Sequence, residues 1–280
     1  MAYSNFIPSV WEESINRELE RACVFVEDCN RQYEGLVASK GDSVHILGVG
    51  KPTIKSMERA NASGEIEDAE EIDDTSVIMS INQIRYFNYK VGDIDKAQAV
   101  GGLMDALSSE TSEGLANEMD KFIAGMATDS SVPTLTSAPT VVTKDNVLNL
   151  LDDAIQKLQE NDVNMSSGIT LTVSPRFYKL FKQAYVSKDT SNSEELKNGK
   201  VASYAGITVK LSNNVAKTDG GSVDNIMLRT KRAIAFVNPL THTEAYRPEK
   251  SFADAVKGYA LFDGKVVRPK EIININVKYA

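Results

Sequence analysis

IDKAQAVGGLMDALSSETSEGLANEMDKFIAGM, residues 94–126, is the stretch on which the reading of this chain turns. Ile94, Ala97, Gly101, Met104, Leu107, Leu115, Met119, Phe122 and Met126 recur at spacings of three and four or their sums, which is the period of one helical face. The spacing predicts a helix of up to about 33 residues, roughly 50 Å long at 1.5 Å per residue. Gly101, Gly102 and Gly114 each weaken it by up to about 1 kcal/mol relative to alanine, so a break or a close backbone approach is expected near them.

Downstream, Ser130 to Thr143 holds Pro133 and Pro139 among serines and threonines and reads as a linker. A second lobe with its own core follows. Val147, Leu148, Leu151, Ile155 and Leu158 mark a helix, Ile169 to Val173 a strand, and Ser174-Pro175 opens another helix with proline at its first position and Phe177, Leu180, Phe181 and Ala184 on its buried face. The polar run Ser187 to Lys200 reads as a surface loop or short helix, after which strands are expected at Ile207–Leu211, Ile226–Leu228, Ala233–Val237, Gly258–Phe262 and Ile272–Val277.

Upstream, Val44 and Ile46 alternate on one strand, and Val77 to Tyr89 gives a second run rich in β-branched and aromatic residues. Read as one strand, that run would reach roughly 43 Å at about 3.3 Å per residue. Between them, Gly48 to Ser76 has too little hydrophobicity for a core. It carries Lys51, Lys55 and Arg59, then Glu65, Glu67, Asp68, Glu70, Glu71, Asp73 and Asp74 with no base among them. Such a segment is either a solvated tip or a protruding hairpin whose charged limbs meet complementary charges on adjacent copies. Nearer the start, Ser9-Val10-Trp11-Glu12 signals a helix cap, and Trp11, Ile15, Leu19 and Ala22 form a narrow apolar stripe. This amphipathic arm must lie on something, its own domain or a neighbouring subunit.

The chain has 280 residues, enough for two lobes, and a net charge of −8, which offers no general basic field for phosphates and argues against a dedicated DNA reader. No charged leader region opens it and no stretch reaches the roughly 18 apolar residues of a membrane span, so no membrane association is expected and the chain reads as soluble and cytoplasmic. Cys23 and Cys29 stand among Val24, Phe25 and Val26, a setting for buried thiols in a reducing compartment.

Catalytic material is sparse. The two histidines, His45 in a strand pattern and His242 between Thr241 and Thr243, leave little for histidine catalysis or an ordinary zinc site. Gly48-Val49-Gly50-Lys51-Pro52-Thr53 lacks the first glycine of a phosphate loop and has proline in place of its hydroxyl residue. Asp152-Asp153 belongs to the solvated face of a helix, and Asp189, Ser191, Ser193 and Glu195 alternate like calcium ligands without the glycine or final glutamate of an EF-hand loop. No catalytic, cofactor or metal residue is assigned. The patterning is for packing, which points to a structural protein rather than an enzyme.

Several segments together resemble the major capsid proteins of tailed bacteriophages, whose Hong Kong 97 (HK97)-type fold is also used by encapsulin shells. They are Ile7-Pro8-Ser9-Val10-Trp11, Tyr33-Glu34-Gly35 before Gly41-Asp42-Ser43-Val44-His45-Ile46, Ala205-Gly206-Ile207-Thr208-Val209 leading to Ser212-Asn213-Asn214, Glu244-Ala245-Tyr246-Arg247, Phe252 through Gly258, and Val267-Arg268-Pro269. The resemblance implies an α+β HK97-like fold. Its parts would be an N-terminal arm (1–30), extended strands and E-loop (31–92, tip about 48–76), and the spine helix and linker of a peripheral domain (93–139). A mixed α/β axial domain (140–238), a return to the peripheral domain (239–262) and C-terminal strands in the axial domain (263–280) would complete it.

It further implies self-assembly into pentamers and hexamers of an icosahedral head, formed from a procapsid in the host cytoplasm. A separate scaffolding protein and a portal would be partners, and packaged double-stranded DNA would be contacted weakly and non-specifically, as suits an acidic subunit. Trp11 and Ile15 of the arm, with Lys51, Lys55, Arg59 and the 65–74 acidic run, are the expected inter-subunit contacts, and neutralising that run should weaken assembly at low salt. The type member's lysine–asparagine crosslink finds no matching motif here. The alternatives are an encapsulin-like compartment on the same fold and, from another class, a cytoplasmic enzyme with a site of scattered Asp, Glu and Lys.

Overall fold

The computed structural model describes residues 23–34, 43–49, 74–92, 103–187, 203–249 and 253–279. In chain order the elements are β1 (Ser43–Val49), β2 (Asp74–Ser80), β3 (Gln83–Gly92), α1 (Leu103–Gly125), β4 (Thr140–Val142), α2 (Val147–Glu160), β5 (Ile169–Val173), α3 (Pro175–Ser187), β6 (Ser203–Tyr204), β7 (Ile207–Leu211), β8 (Ala216–Thr218), β9 (Val223–Thr230), β10 (Ile234–Tyr246), β11 (Ala253–Val266) and β12 (Ile272–Tyr279).

Two sheets organise the body. A three-stranded antiparallel sheet, β10-β11-β3, lies under α1, and a seven-stranded mixed sheet runs β4-β12-β9-β5-β7-β6 with β8 paired to β9. The first core packs Leu115, Ala116, Met119, Ile123 and Ala124 of α1 against Phe236, Ala260 and Phe262. The second buries Leu148, Leu151, Ala154, Ile155 and Leu158 of α2 and Phe177 and Phe181 of α3 on the larger sheet. Every residue of β9 is buried, because Ile226 and Leu228 face the second core while Met227 faces the first.

Three expectations are corrected. The run Val77 to Tyr89 is not one strand: β2 ends at Ser80 and β3 begins at Gln83. The chain turns at Asn82, whose N–H leaves the ladder for Asp263 Oδ2 at 3.0 Å. Of the long helix, Leu103–Gly125 is described, 23 residues or roughly 34 Å ending in a 3-10 turn, and the expected part from Ile94 to Gly102 lies outside the described residues. Its buried face centres on Ser108, Ser112, Leu115, Ala116, Met119, Asp120 and Ile123 rather than on the large apolar residues alone. Phe122 and Met126 are only partly buried, and Gly114 neither breaks the helix nor meets any atom within 4 Å of where a Cβ would stand.

The linker is not free either. Asn274 of β12 donates its N–H to the Pro133 carbonyl and its carbonyl accepts the Leu135 N–H, and β4 then pairs in parallel with β12 from Thr140↔Val277. The open edge of β12 carries unpaired backbone groups, and the linker is the segment that satisfies them. The helix cap at 9–12 and the polar run past Ser187 lie outside the described residues. Both cysteines are buried and outside any disulfide, and Asp152 and Asp153 are exposed, as the sequence suggests.

Candidate assembly anchors

Two segments enter the body beside stretches outside the described residues, and each entry point is pinned by buried polar groups. The first is residues 23–30. Asp120 of α1, on the helix's buried face, accepts the Val24 N–H at Oδ2 (2.8 Å) and those of Phe25 and Val26 at Oδ1 (2.9 and 3.2 Å). From the opposite side Arg229 of β9, 0% exposed, donates to the carbonyls of Asp28 (2.5 Å) and Phe25 (2.6 Å). One carboxylate takes the segment's donors and one guanidinium takes its acceptors, so backbone that forms no regular ladder is still satisfied.

Apolar packing completes the first anchor. Phe25 (1% exposed), Val26 and Cys29 are buried in the α1 core. Asn30 then joins the edge of β10, its N–H on the Ile234 carbonyl at 2.8 Å and its carbonyl under the Phe236 N–H at 2.9 Å. On the outside Lys210 reaches Glu27 at 2.6 Å and Asp28 at 2.9 Å, and its hydrogen bond holds the Glu27 carboxyl below its ordinary value. Burial pushes the Asp120 carboxyl up despite its three N–H donors, and burial likewise raises the Cys29 thiol, which keeps that sulfur neutral and unreactive.

The second anchor is the root of the β1–β2 hairpin. The strands pair antiparallel in full register from Ser43↔Ser80 to Val49↔Asp74. Val44, Ile46, Met79 and Ile81 pack on Ala235, Val237 and Leu261 of the three-stranded sheet, and Lys265 Nζ donates to the Ile78 carbonyl at 3.1 Å. Asp263 takes the Asn82 N–H on one oxygen and the Gly264 N–H on the other at 2.7 Å. Opposite lies a bulge between Val237 and Leu240, where Pro239 offers no N–H to the ladder.

Of the residues expected at subunit contacts, Asp74 opens β2 opposite Val49. Trp11, Ile15, Lys51, Lys55, Arg59, Glu65, Glu67, Asp68, Glu70, Glu71 and Asp73 lie outside the described residues. Asp120 and Arg229 escaped the sequence reading, although each is a charge at a core position: Asp120 falls four residues after Ala116 and three before Ile123, and Arg229 follows Ile226-Met227-Leu228. His45 and His242 are both exposed, and among the described residues no His, Cys, Asp or Glu cluster converges on a metal position.

A model of the phage capsid protein family matches residues 87–275, more than half of the chain. The chain belongs to the phage capsid protein family. Among solved structures, one from Mycobacterium phage Che8 is 29% identical, with 90% of each chain covered and a TM-score of 0.74. The capsid of cyanophage P-SCSP1u is 17% identical over 92% of this chain and 88% of its own, at a TM-score of 0.71. The virus-like particle of Pyrococcus furiosus has the same fold at 12% identity and a TM-score of 0.61, with 97% and 99% covered. No curated protein sequence matches. This phage capsid protein is thus a structural component of a virion shell, the tailed-phage major capsid protein that its segments resemble, with a mixed α and β fold shared by other capsid chains. No helix among the described residues is long and apolar enough to cross a membrane.

Proposed function

We propose that this phage capsid protein self-assembles into the pentamers and hexamers of an icosahedral head that encloses double-stranded DNA, with assembly in the host cytoplasm. Residues 1–30 act as an arm rooted in the body by 23–30, and the β1–β2 hairpin, with its tip at about 48–76, as an E-loop, the part of each beyond its anchor lying across a neighbouring subunit. The spine helix α1 and the β10-β11-β3 sheet form the peripheral domain, and the seven-stranded sheet with α2 and α3 forms the axial domain. Scaffolding and portal proteins are the expected partners, and the subunit's work is association rather than turnover.

The observation that carries this reading is the pair of anchors. A free-standing globular protein gains little by burying Asp120 and Arg229 to hold 23–30, since buried charges cost desolvation that apolar residues would not. A subunit whose outlying segments must meet a partner in one direction gains the direction. Lys51, Lys55, Arg59 and the acidic run 65–74 supply part of those contacts, with Trp11 and Ile15 on the arm.

Negative-stain electron microscopy with sedimentation of the purified protein tests the reading. Closed shells tens of nanometres across are expected, and neutralising the acidic run should reduce their yield at low salt. A persistent monomer or dimer, with scaffold supplied, would sink the proposal. Shells that co-purify with protein cargo and no nucleic acid would move it to the encapsulin-like reading.

A further inference from the structure

The second lobe carries a cationic cleft that its packing does not require. The cleft lies between the β4–α2 connection and the start of α3 and encloses about 490 Å3, with Lys144, Arg176 and Lys179 along its walls and Val142, Leu180 and Tyr279 below them. No carboxylate among the described residues lines it. All three cations are exposed, and none has an ion pair among the described residues. The acidic side chain beneath is already committed, because Asp224 accepts the Tyr279 hydroxyl at 2.8 Å.

Local electrostatics sharpen the case. α3 contains Arg176, Lys179 and Lys182 and no aspartate or glutamate. Arg176 and Lys179 stand in its opening turns, where the helix dipole is positive and carboxylates are the favoured residues. Cations gathered at the wrong helix end, in a chain whose net charge is −8, are an arrangement that stability alone disfavours. Arg176 lies over the Tyr279 ring at 6.0 Å, which supports the guanidinium through its face and leaves its N–H edge to donate.

We propose that this cleft is a phosphate-binding site, and that its phosphates are those of a nucleic-acid backbone; the choice of source rests on the shell reading above, the site itself does not. Lys144 and Lys179 act as point charges and Arg176 as a two-pronged donor. Contacts of this kind hold a backbone without reading its sequence, so the site would give an acidic shell a few spaced points of contact with DNA rather than a continuous basic lining. The phosphate chemistry could also be met by a free polyphosphate.

The test uses the unassembled full chain, a fluorescein-labelled DNA duplex of mixed sequence followed by anisotropy over a salt series, and sodium tripolyphosphate followed by calorimetry. The variant is Lys144→Gln with Arg176→Gln and Lys179→Gln, checked by circular dichroism and melting, and Lys231→Gln is the control. Each neutralised phosphate contributes about 0.9 to the slope of log affinity against log salt, so the triple variant should lose roughly 2.7 of slope while the control retains it. Loss of tripolyphosphate binding alone would keep the phosphate site and reassign its source. An unchanged triple variant, no binding of either probe, or selective binding of an acidic peptide spanning residues 65–74 would overturn the site. Shell formation by the wild type is scored separately, so either idea can fail without the other.

Discussion

Replacing Asp120 should loosen the root of the proposed arm without unfolding the body. Its carboxylate satisfies three backbone donors, and in Asp120→Ala these would face a dry core together with the Arg229 guanidinium. An unsatisfied buried donor costs about 1–3 kcal/mol, and removal of one partner from a buried charged arrangement about 3–5 kcal/mol. The segment can avoid the whole penalty by lifting off, at the cost of exposing Phe25, Val26 and Cys29, each contributing roughly 1.5–3 kcal/mol by burial. Opening therefore becomes easier by about 3–4 kcal/mol, which raises amide exchange at Val24, Phe25 and Val26 some 10²- to 10³-fold.

Asp120→Asn gives the finer test. Its remaining oxygen can keep the Phe25 and Val26 donors, while its NH2 would face the Val24 N–H, donor against donor. Hydrogen exchange read by NMR should then show the largest increase at Val24 in the asparagine variant and a common increase at all three amides in the alanine variant, with β9, β11 and β12 unchanged. Unaltered exchange at these amides, or a loss of protection across the whole molecule at once, would refute the clamp.

Three further outcomes follow from the same geometry. Burial pulls the Glu271 carboxyl up, but the Thr230 hydroxyl and Arg268 outweigh it and leave the group below its ordinary value of 4.5, so its contribution to stability is present above about pH 4.5 and lost as pH falls through its folded value. Urea melts of Glu271→Gln should accordingly depend less on pH between about 3 and 5 than those of the wild type. Gly258→Ala would set a Cβ 2.5 Å from Phe87 Cζ and 2.6 Å from the His242 carbonyl, and because the second neighbour is backbone the strain of about 1–3 kcal/mol, read as a fall in melting temperature, should persist when Phe87 is also shortened to leucine. Asp263→Ala frees the Asn82 and Gly264 amides, and limited proteolysis near residues 80–83 should quicken while the α2–α3 lobe resists as before.

What the sequence disclosed depended on whether local pattern and tertiary role agreed. The strands Ile169–Val173 and Ile207–Leu211 lie where their apolar runs put them, and Ser174-Pro175 opens α3 with the serine hydroxyl accepting the Phe177 N–H. β9 is legible only over its apolar centre, because Asp224, Asn225 and Arg229 at its flanks look like loop residues until their distant partners Tyr279, Asn274 and the 23–30 segment are in place. β10 and β11 extend well past the expected Ala233–Val237 and Gly258–Phe262. One sheet face there carries His242, Glu244 and Lys257, with Tyr86 81% exposed, so the apolar signal thins although the ladder continues. The Asp120 clamp spans more than 90 positions in sequence, so the helical spacing from Ala116 and Ile123 can put that aspartate on the buried face, unlike the solvent-facing Glu113, but cannot name the amides it holds.

β9 ties these parts into one frame. Its alternate side chains enter both cores, and two residues beyond Met227 the same strand sends Arg229 to the 23–30 backbone, which Asp120 holds from α1. Neither lobe can rotate against the other without pulling Met227 from the first core and Arg229 from the 23–30 backbone, because β9 is held in the larger sheet between β12 and β5. Such a body would dock as a rigid unit. On the proposed reading the energetic burden of a shell contact falls on complementarity rather than on bending the body, which fits the buried, multiply bonded Asp120, Arg229 and Asp263 at the two roots beside the exposed Tyr86, His242, Glu244 and Lys257 on one face of the three-stranded sheet.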